Sequence, residues 1–231
     1  MLLRPQARKK SIRSYVIRSG RMTPSQKMAF TEHWTDFGLN LQPQTMDFDQ
    51  VFGRCAPRIL EIGFGMGDSL LTMCEQDPDS DFIGIEVHPP GVGRAMKGAE
   101  TRGIENFRVF HADARDVLSE TIADASIARV QIYFPDPWHK KKHNKRRLVQ
   151  ADFIELVSAK LKPGGKLHLA TDWQPYAEMM LDVLTEASTL KNLSIDSTYI
   201  ERPDWRPETK FESRGARLGH GIWDLLFEKV V

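Results

Sequence analysis

Five short apolar runs recur along the middle of the chain: RILEIG (58–63), DFIGIEV (81–87), FRVFHAD (107–113), RVQIYFPD (129–136) and KLHLATD (166–172). Each is apolar on consecutive positions, the pattern of a strand buried on both faces, and each ends close to an acidic residue. Helical patterns separate them. MGDSLLTMCEQ (66–76) follows the first run. Over 147–161, Val149, Phe153, Leu156, Val157 and Leu161 keep a 3.6-residue period, and Lys162-Pro163-Gly164-Gly165 is expected to stop that helix. A similar stripe runs through Trp173, Ala177, Met180, Leu181 and Leu184. Alternating strands and helices of this kind leave few arrangements open. The expected fold class is α/β, a mostly parallel, doubly wound sheet with helices on both faces. Ligands of such sheets bind beyond the carboxyl ends of the strands, where the acids gather.

Toward the C-terminus, LSIDSTY (193–199) and GIWDLLFEKV (221–230) read as two more strands. The polar connection between them contains Pro203 and Pro207 and need not be a crossover helix, so an antiparallel strand is expected there. Residues 1 to about 55 are irregular, with Pro5, Pro24 and Pro43 breaking short apolar groups, so they wrap the core or stay mobile. A length of 231 residues with 41% hydrophobic content suits one core. The expected organisation is a basic N-terminal extension over 1–30, disordered or wrapped on the core, and a single domain over 31–231.

The net charge of +1 hides a segregation. Residues 1–31 hold eight Lys or Arg and residues 139–147 hold six, with no acid in either, whereas the other 191 residues hold 18 cations against 31 acids. Cations gathered on an acidic body favour a polyanion at one face. No apolar run approaches the roughly 18 residues of a membrane span, and the basic N-terminus lacks a secretory apolar stretch. A cytoplasmic protein with no membrane partner is expected. Cys55 and Cys74 lack metal or redox spacing and are expected to be reduced and packed as small hydrophobes.

Glu61-Ile-Gly63-Phe-Gly65-Met-Gly67 follows a strand and opens a helix. Glycines there let the backbone turn sharply and approach a ligand. The spacing is E-x-G-x-G-x-G, not the G-x-G-x-x-G of dinucleotide folds, and is similar to the loop of Rossmann-like, S-adenosylmethionine-dependent methyltransferases. Glu86 ends the next strand, placed to accept from both ribose hydroxyls, and Asp113 ends the third, placed for an adenine amino group.

In YFPDPWHKKKHNKRR (133–147), Pro135 and Pro137 restrict the backbone on both sides of Asp136, so that carboxylate is aimed. Trp138 is suited to stack on a base or to close the pocket wall. Lys140, Lys141, Lys142, Lys145, Arg146 and Arg147 form a basic patch suited to phosphates. His139 and His143 share an i, i+4 spacing, but the lysines around them argue against a metal.

With both clusters in view the chain resembles the bacterial tRNA (guanine-N7)-methyltransferase family. The matching segments are LEIGFGMG (60–67), GIEVH (84–88), FPDPWHKKKHNKRR (134–147), GGKLHLATDW (164–173) and RPETKFESRGARLGHGIWDLLFE (206–228). The resemblance implies a Rossmann-like methyltransferase fold, S-adenosylmethionine as cofactor, no metal, and methylation of N7 of guanosine 46 in the tRNA variable region. It further implies tRNA as partner; DNA is not expected as one, and a monomer is the expected state. Carried over by residue, Glu61, Glu86, Asp113 and Asp136 are the cofactor-site acids beside Gly63, Gly65 and Gly67, with Asp136 also catalytic. Lys140 and Asp172 match substrate-binding positions. Lys142, His143, Asn144, Lys145, Arg146 and Arg147 match the RNA-contacting segment, and Thr209, Lys210, Phe211 and Glu212 the TKFE substrate segment. Asp68 departs from the family's usual small residue, which leaves a helix cap or a weaker cofactor site as its expected effect.

Other readings carry distinct expectations. A methyltransferase of an exocyclic amino group shares the proline-flanked motif. An RNA-binding module without chemistry would not need Glu86, Asp113 and Asp136 together, and a nicotinamide oxidoreductase would show a different glycine spacing.

Overall fold

The computed structural model describes residues 14–15, 24–208, 212 and 221–230. In chain order its elements are α1 (Pro24–Phe37), β1 (Gly38–Leu39), α2 (Phe48–Phe52), β2 (Arg58–Ile62), α3 (Asp68–Gln76), β3 (Asp81–Glu86), α4 (Pro89–Arg102) and β4 (Phe107–His111). Next come α5 (Ala114–Glu120), β5 (Ile127–Tyr133), a 3-10 turn (Lys141–Arg146), α6 (Ala151–Lys160), β6 (Leu161–Thr171), α7 (Gln174–Glu186), β7 (Leu190–Asn192) and β8 (Trp223–Lys229).

The five apolar runs are the five central parallel strands. Sheet order is β1-β4-β3-β2-β5-β6-β8-β7, and only β8 runs against the rest. Connections wind outward from β2 in one direction and from β5 in the other, so the strand order reverses between β2 and β5. That reversal opens a crevice at the carboxyl edge, where doubly wound sheets bind ligands. Every residue of β2 and β3 is buried because helices cover both faces. Leu60 and Ile62 face α5, α6 and α7, while Ile59 faces α3 and α4, where Phe37 of α1 also packs.

From residue 24 the irregular N-terminal stretch wraps onto the core: α1 packs on α4, and β1 pairs in parallel with β4. Three expectations need correction. The helix expected over 147–161 starts only at Ala151, and Lys162–Gly165 lies inside β6. There β6 bulges, between the Ile127↔Leu161 and Arg129↔Lys166 pairings, with Gly164 at φ +74° taking the strained turn. LSIDSTY is not a strand: β7 is the preceding Leu190–Asn192, and Ser194 and Thr198 bond the Asp196 carboxylate in a tight turn. Of the two cysteines Cys74 is buried, but Cys55 is exposed. No helix among the described residues is long and apolar enough to cross a membrane.

Candidate active site

The glycine loop turns off the end of β2 beneath the start of α4. A Cβ on Gly67, at φ +81°, would stand 2.7 Å from the Ala95 Cβ, so only glycine fits both the turn and the contact. Gly91 in α4 is held to glycine as well, because a Cβ there would run into the Gly65 carbonyl oxygen. Glu86 ties loop and strand together. Its Oε2 accepts from the Gly65 amide at 2.8 Å, and Oε1 accepts from Val87 and His88 amides at 2.7 and 2.9 Å. A carboxylate has about four acceptor positions, so roughly one remains for a hydroxyl in the crevice. Asp113 caps α5, with Oδ1 accepting from the Arg115 amide at 2.9 Å. Asp68 is the first residue of α3, not its cap, and pairs with Arg94 through both oxygens at 3.0 Å.

Part of this loop and the two carboxylates Glu86 and Asp113 border a cavity of about 750 Å³, whereas Gly65 and Gly67 are not in its wall. Gly63, Glu86, Asp113, Asp136, His139 and Lys140 are in its wall, with apolar surface from Ile62, Ile85, Ala112 and Leu148. The volume suits a nucleoside-sized ligand. Apolar walls, two carboxylates at neighbouring strand ends and a glycine turn fit the adenine, ribose and amino-acid portions of S-adenosylmethionine.

Asp136 leaves the end of β5 on an over-determined loop. Phe134 and Trp138 take left-handed backbone at φ +51° and +46° on either side of the two prolines. Such conformations in bulky residues cost about 1–3 kcal/mol each and persist only when surroundings hold them. The clamps are identifiable. The Phe134 amide donates to the Ala170 carbonyl at 2.8 Å, and the Arg147 Nε donates to the Pro137 carbonyl at 2.8 Å. The Trp138 indole donates to the Ser14 carbonyl at 2.9 Å and carries the Arg146 guanidinium over its face at 4.0 Å. Asp136 itself is exposed and has no hydrogen-bond or ion-pair partner among the described residues. The chain has fixed this carboxylate and left its oxygens open.

The basic segment divides. Lys140, Lys141, Lys142 and Lys145 are exposed. Arg147 is not part of that patch: it is buried, over the Tyr176 ring at 4.8 Å, because its charge serves the Pro137 carbonyl. Arg146 lies on Trp138, and Asn144 and His143 are half-buried, His143 meeting Trp138 edge-on. Desolvation and the neighbouring lysine and arginine charges hold His143 below the usual histidine range.

Glu61 lies outside the cavity wall. It is 3% exposed, on the sheet face of Ile59, beside Gln131. Burial pushes its carboxyl up to about 7, against the pull of Gln131 and Arg129, and Oε2 has no partner among the described residues. Farther along the same face, Tyr133, His168 and Asp224 form a buried chain across β5, β6 and β8. The Tyr133 hydroxyl meets His168 Nδ1 at 2.8 Å and His168 Nε2 meets Asp224 Oδ1 at 2.8 Å. Trp205 Nε1, a donor only, also points at Nδ1, so Nδ1 is the acceptor and Nε2 carries the proton. Burial lowers the His168 pKa and keeps the ring neutral. Arg206 grips both Asp224 oxygens at 2.8 Å and Glu212 Oε1 at 2.5 Å.

Asp172 is exposed just after β6. Glu212 is 4% exposed and turned to Arg206, while Thr209, Lys210 and Phe211 lie outside the described residues. Sequence reasoning passed over Gly91, His168, Arg206 and Asp224. Only the LHLATD, RPETKFE and GIWDLLFE segments hinted at the last three, because their partners are far apart in sequence.

Among doubly wound folds, this crevice, with its glycine turn and two carboxylates on successive strands, belongs to Rossmann-like, S-adenosylmethionine-dependent methyltransferases. A family model described as putative methyltransferase matches residues 55–225. Over 227 residues, 98% of this chain and 99% of the relative, it is 56% identical to the tRNA (guanine-N(7)-)-methyltransferase of Saccharophagus degradans. It is 55% identical over 222 residues, 96% of the chain and 93% of the relative, to that of Shewanella sp. strain W3-18-1. The chain therefore belongs to the tRNA (guanine-N7)-methyltransferase family. Solved structures of the 16S rRNA methyltransferase KamB and the aminoglycoside resistance methyltransferase NpmB1 share the fold. Their TM-scores are 0.60 and 0.56 at 16% and 17% identity, over 84% and 81% of this chain and 98% and 95% of theirs.

Proposed function

We propose that the protein transfers the methyl group of S-adenosylmethionine to N7 of guanosine 46 in the variable region of tRNA, acting as a monomer in the cytoplasm. The observation that carries this reading is Asp136, an aimed carboxylate with no partner among the described residues, at the crevice where the strand order reverses. Neutral guanine keeps a lone pair on N7, so the chemistry needs no proton removed. When bound, the cofactor supplies an electrophilic sulfonium methyl. The chain's task is then placement and electrostatics. Asp136 accepts from guanine's N1 and N2 donors and faces the positive charge that accumulates on the base. Exposed Lys140, Lys141, Lys142 and Lys145 hold phosphates around the unstacked nucleotide, so tRNA is read by shape and one base by the pocket. Asp172 and residues 209–211 complete the substrate side, while Glu212 anchors on Arg206.

Incubation with labelled S-adenosylmethionine and unmodified tRNA, followed by borohydride and aniline cleavage, tests the assignment. Scission at guanosine 46 is expected. Label that resists this treatment would instead indicate an amino-methylating enzyme.

A further inference from the structure

Trp138, the tryptophan that the sequence offers for base stacking, is already occupied. It bears the Arg146 guanidinium at 4.0 Å, meets the His143 ring at 5.8 Å and donates to Ser14. Trp173 has a different environment. It is 38% exposed as the N-cap of α7, and its ring meets His139 edge to face, with centroids 4.4 Å apart at 82°. His139 lines the cavity, so the pair forms a ledge running from the cavity rim into solvent. Backbone register explains the meeting: Tyr133 pairs with Ala170, and the two loops leave β5 and β6 side by side at one level.

Strand order indicates which ligand this ledge faces. Glu86 ends β3 and Asp113 follows β4, whereas Trp173 follows β6. β3, β2 and β5 intervene between β4 and β6, which at about 4.8 Å per strand places the indole roughly 19 Å from the adenine end. The exposed indole therefore lies on the opposite side of Asp136 from the cofactor's base. A buried aromatic would be explained by packing, but an exposed one beside a catalytic crevice is a free π-surface. Splayed-out bases of RNA bind such surfaces by stacking.

We infer that Trp173, backed by His139, is the stacking platform for the target guanine, a role that rests on the guanosine-N7 assignment above. An indole face is electron-rich, so its attraction for the base grows as methyl transfer makes the purine cationic. Trp173 thus favours the transition state over the bound substrate.

Steady-state methylation of an unmodified tRNA transcript tests this with Trp173→Ala and Trp173→Phe, alongside calorimetric titration of S-adenosylmethionine. Trp173→Ala is expected to lower kcat/KM about tenfold or more. Trp173→Phe should retain most of it, and cofactor affinity should be unchanged in both. A Trp173→Ala enzyme within twofold of wild type, or one that loses cofactor affinity in parallel with activity, overturns the inference alone. A wild-type enzyme that labels another atom overturns the functional assignment and the platform with it.

Discussion

Two polar clusters meet at the carboxyl edge of β5, and they are built on opposite principles. In one, Tyr133, His168, Asp224, Arg206 and Glu212 are buried and spend their hydrogen bonds on each other. In the other, which begins three residues after Tyr133, Asp136 and the lysines that follow stand exposed on a loop held by its neighbours. The Arg206 guanidinium sits 5.7 Å from the Phe134 ring, so the first cluster supports the loop that carries the second. Fully paired buried charges keep a geometry; a fixed but unpaired carboxylate can act on a ligand. The contrast separates residues that build the site from residues that use it.

The largest expected effect would come from the buried cluster. Arg206→Met strands the Asp224 and Glu212 carboxylates and should cost about 3–5 kcal/mol of stability, measured by denaturant unfolding. A loss under 1 kcal/mol would mean the network is not the scaffold. Asp136→Asn should do the reverse, leaving the melting temperature within a degree or two while kcat drops on the order of 10²–10³-fold in single turnover. Equal damage to folding and turnover would erase the distinction between the clusters.

Glu61 provides a test by pH. Its folded pKa of about 7 lies above the ordinary glutamate value of 4.5, so between them the native state binds more protons than the unfolded one. Stability from this group is therefore full below pH 4.5 and falls as pH rises toward 7, by about 3 kcal/mol at most. Glu61→Gln should flatten that fall, read from unfolding curves at pH 5 and 8. The smallest effect belongs to the exposed cations. Replacing Lys141, Lys142 and Lys145 by alanine should raise the KM for tRNA about tenfold and lessen the salt dependence by roughly one unit of slope per charge. Cofactor affinity should not move. An unchanged salt slope would transfer phosphate binding to another face.

Local pattern carried much of this. The central strands, the glycine turn and the aim of Asp136 follow from residues within a few positions of one another, because apolar periodicity and proline geometry act locally. Arg147 shows where that reasoning stops. It ends a run of cations and reads as a phosphate contact, yet the Pro137 carbonyl and the Tyr176 ring draw it inward. Likewise 193–199 has strand composition, but Asp196 offers its side chain to nearby donors and turns the chain instead.

The sequence by itself determined the doubly wound sheet, the methyltransferase type of glycine loop and a stiffened carboxylate beside a basic segment. Tertiary structure decided which of two tryptophans stays open, which cations face solvent, and that Glu86 grips the Gly65 amide as it borders the cavity. It also joined Arg206 to Asp224, side chains on separate segments. Those choices depend on pairs brought together across strands, and neither partner's local sequence records where the other will be.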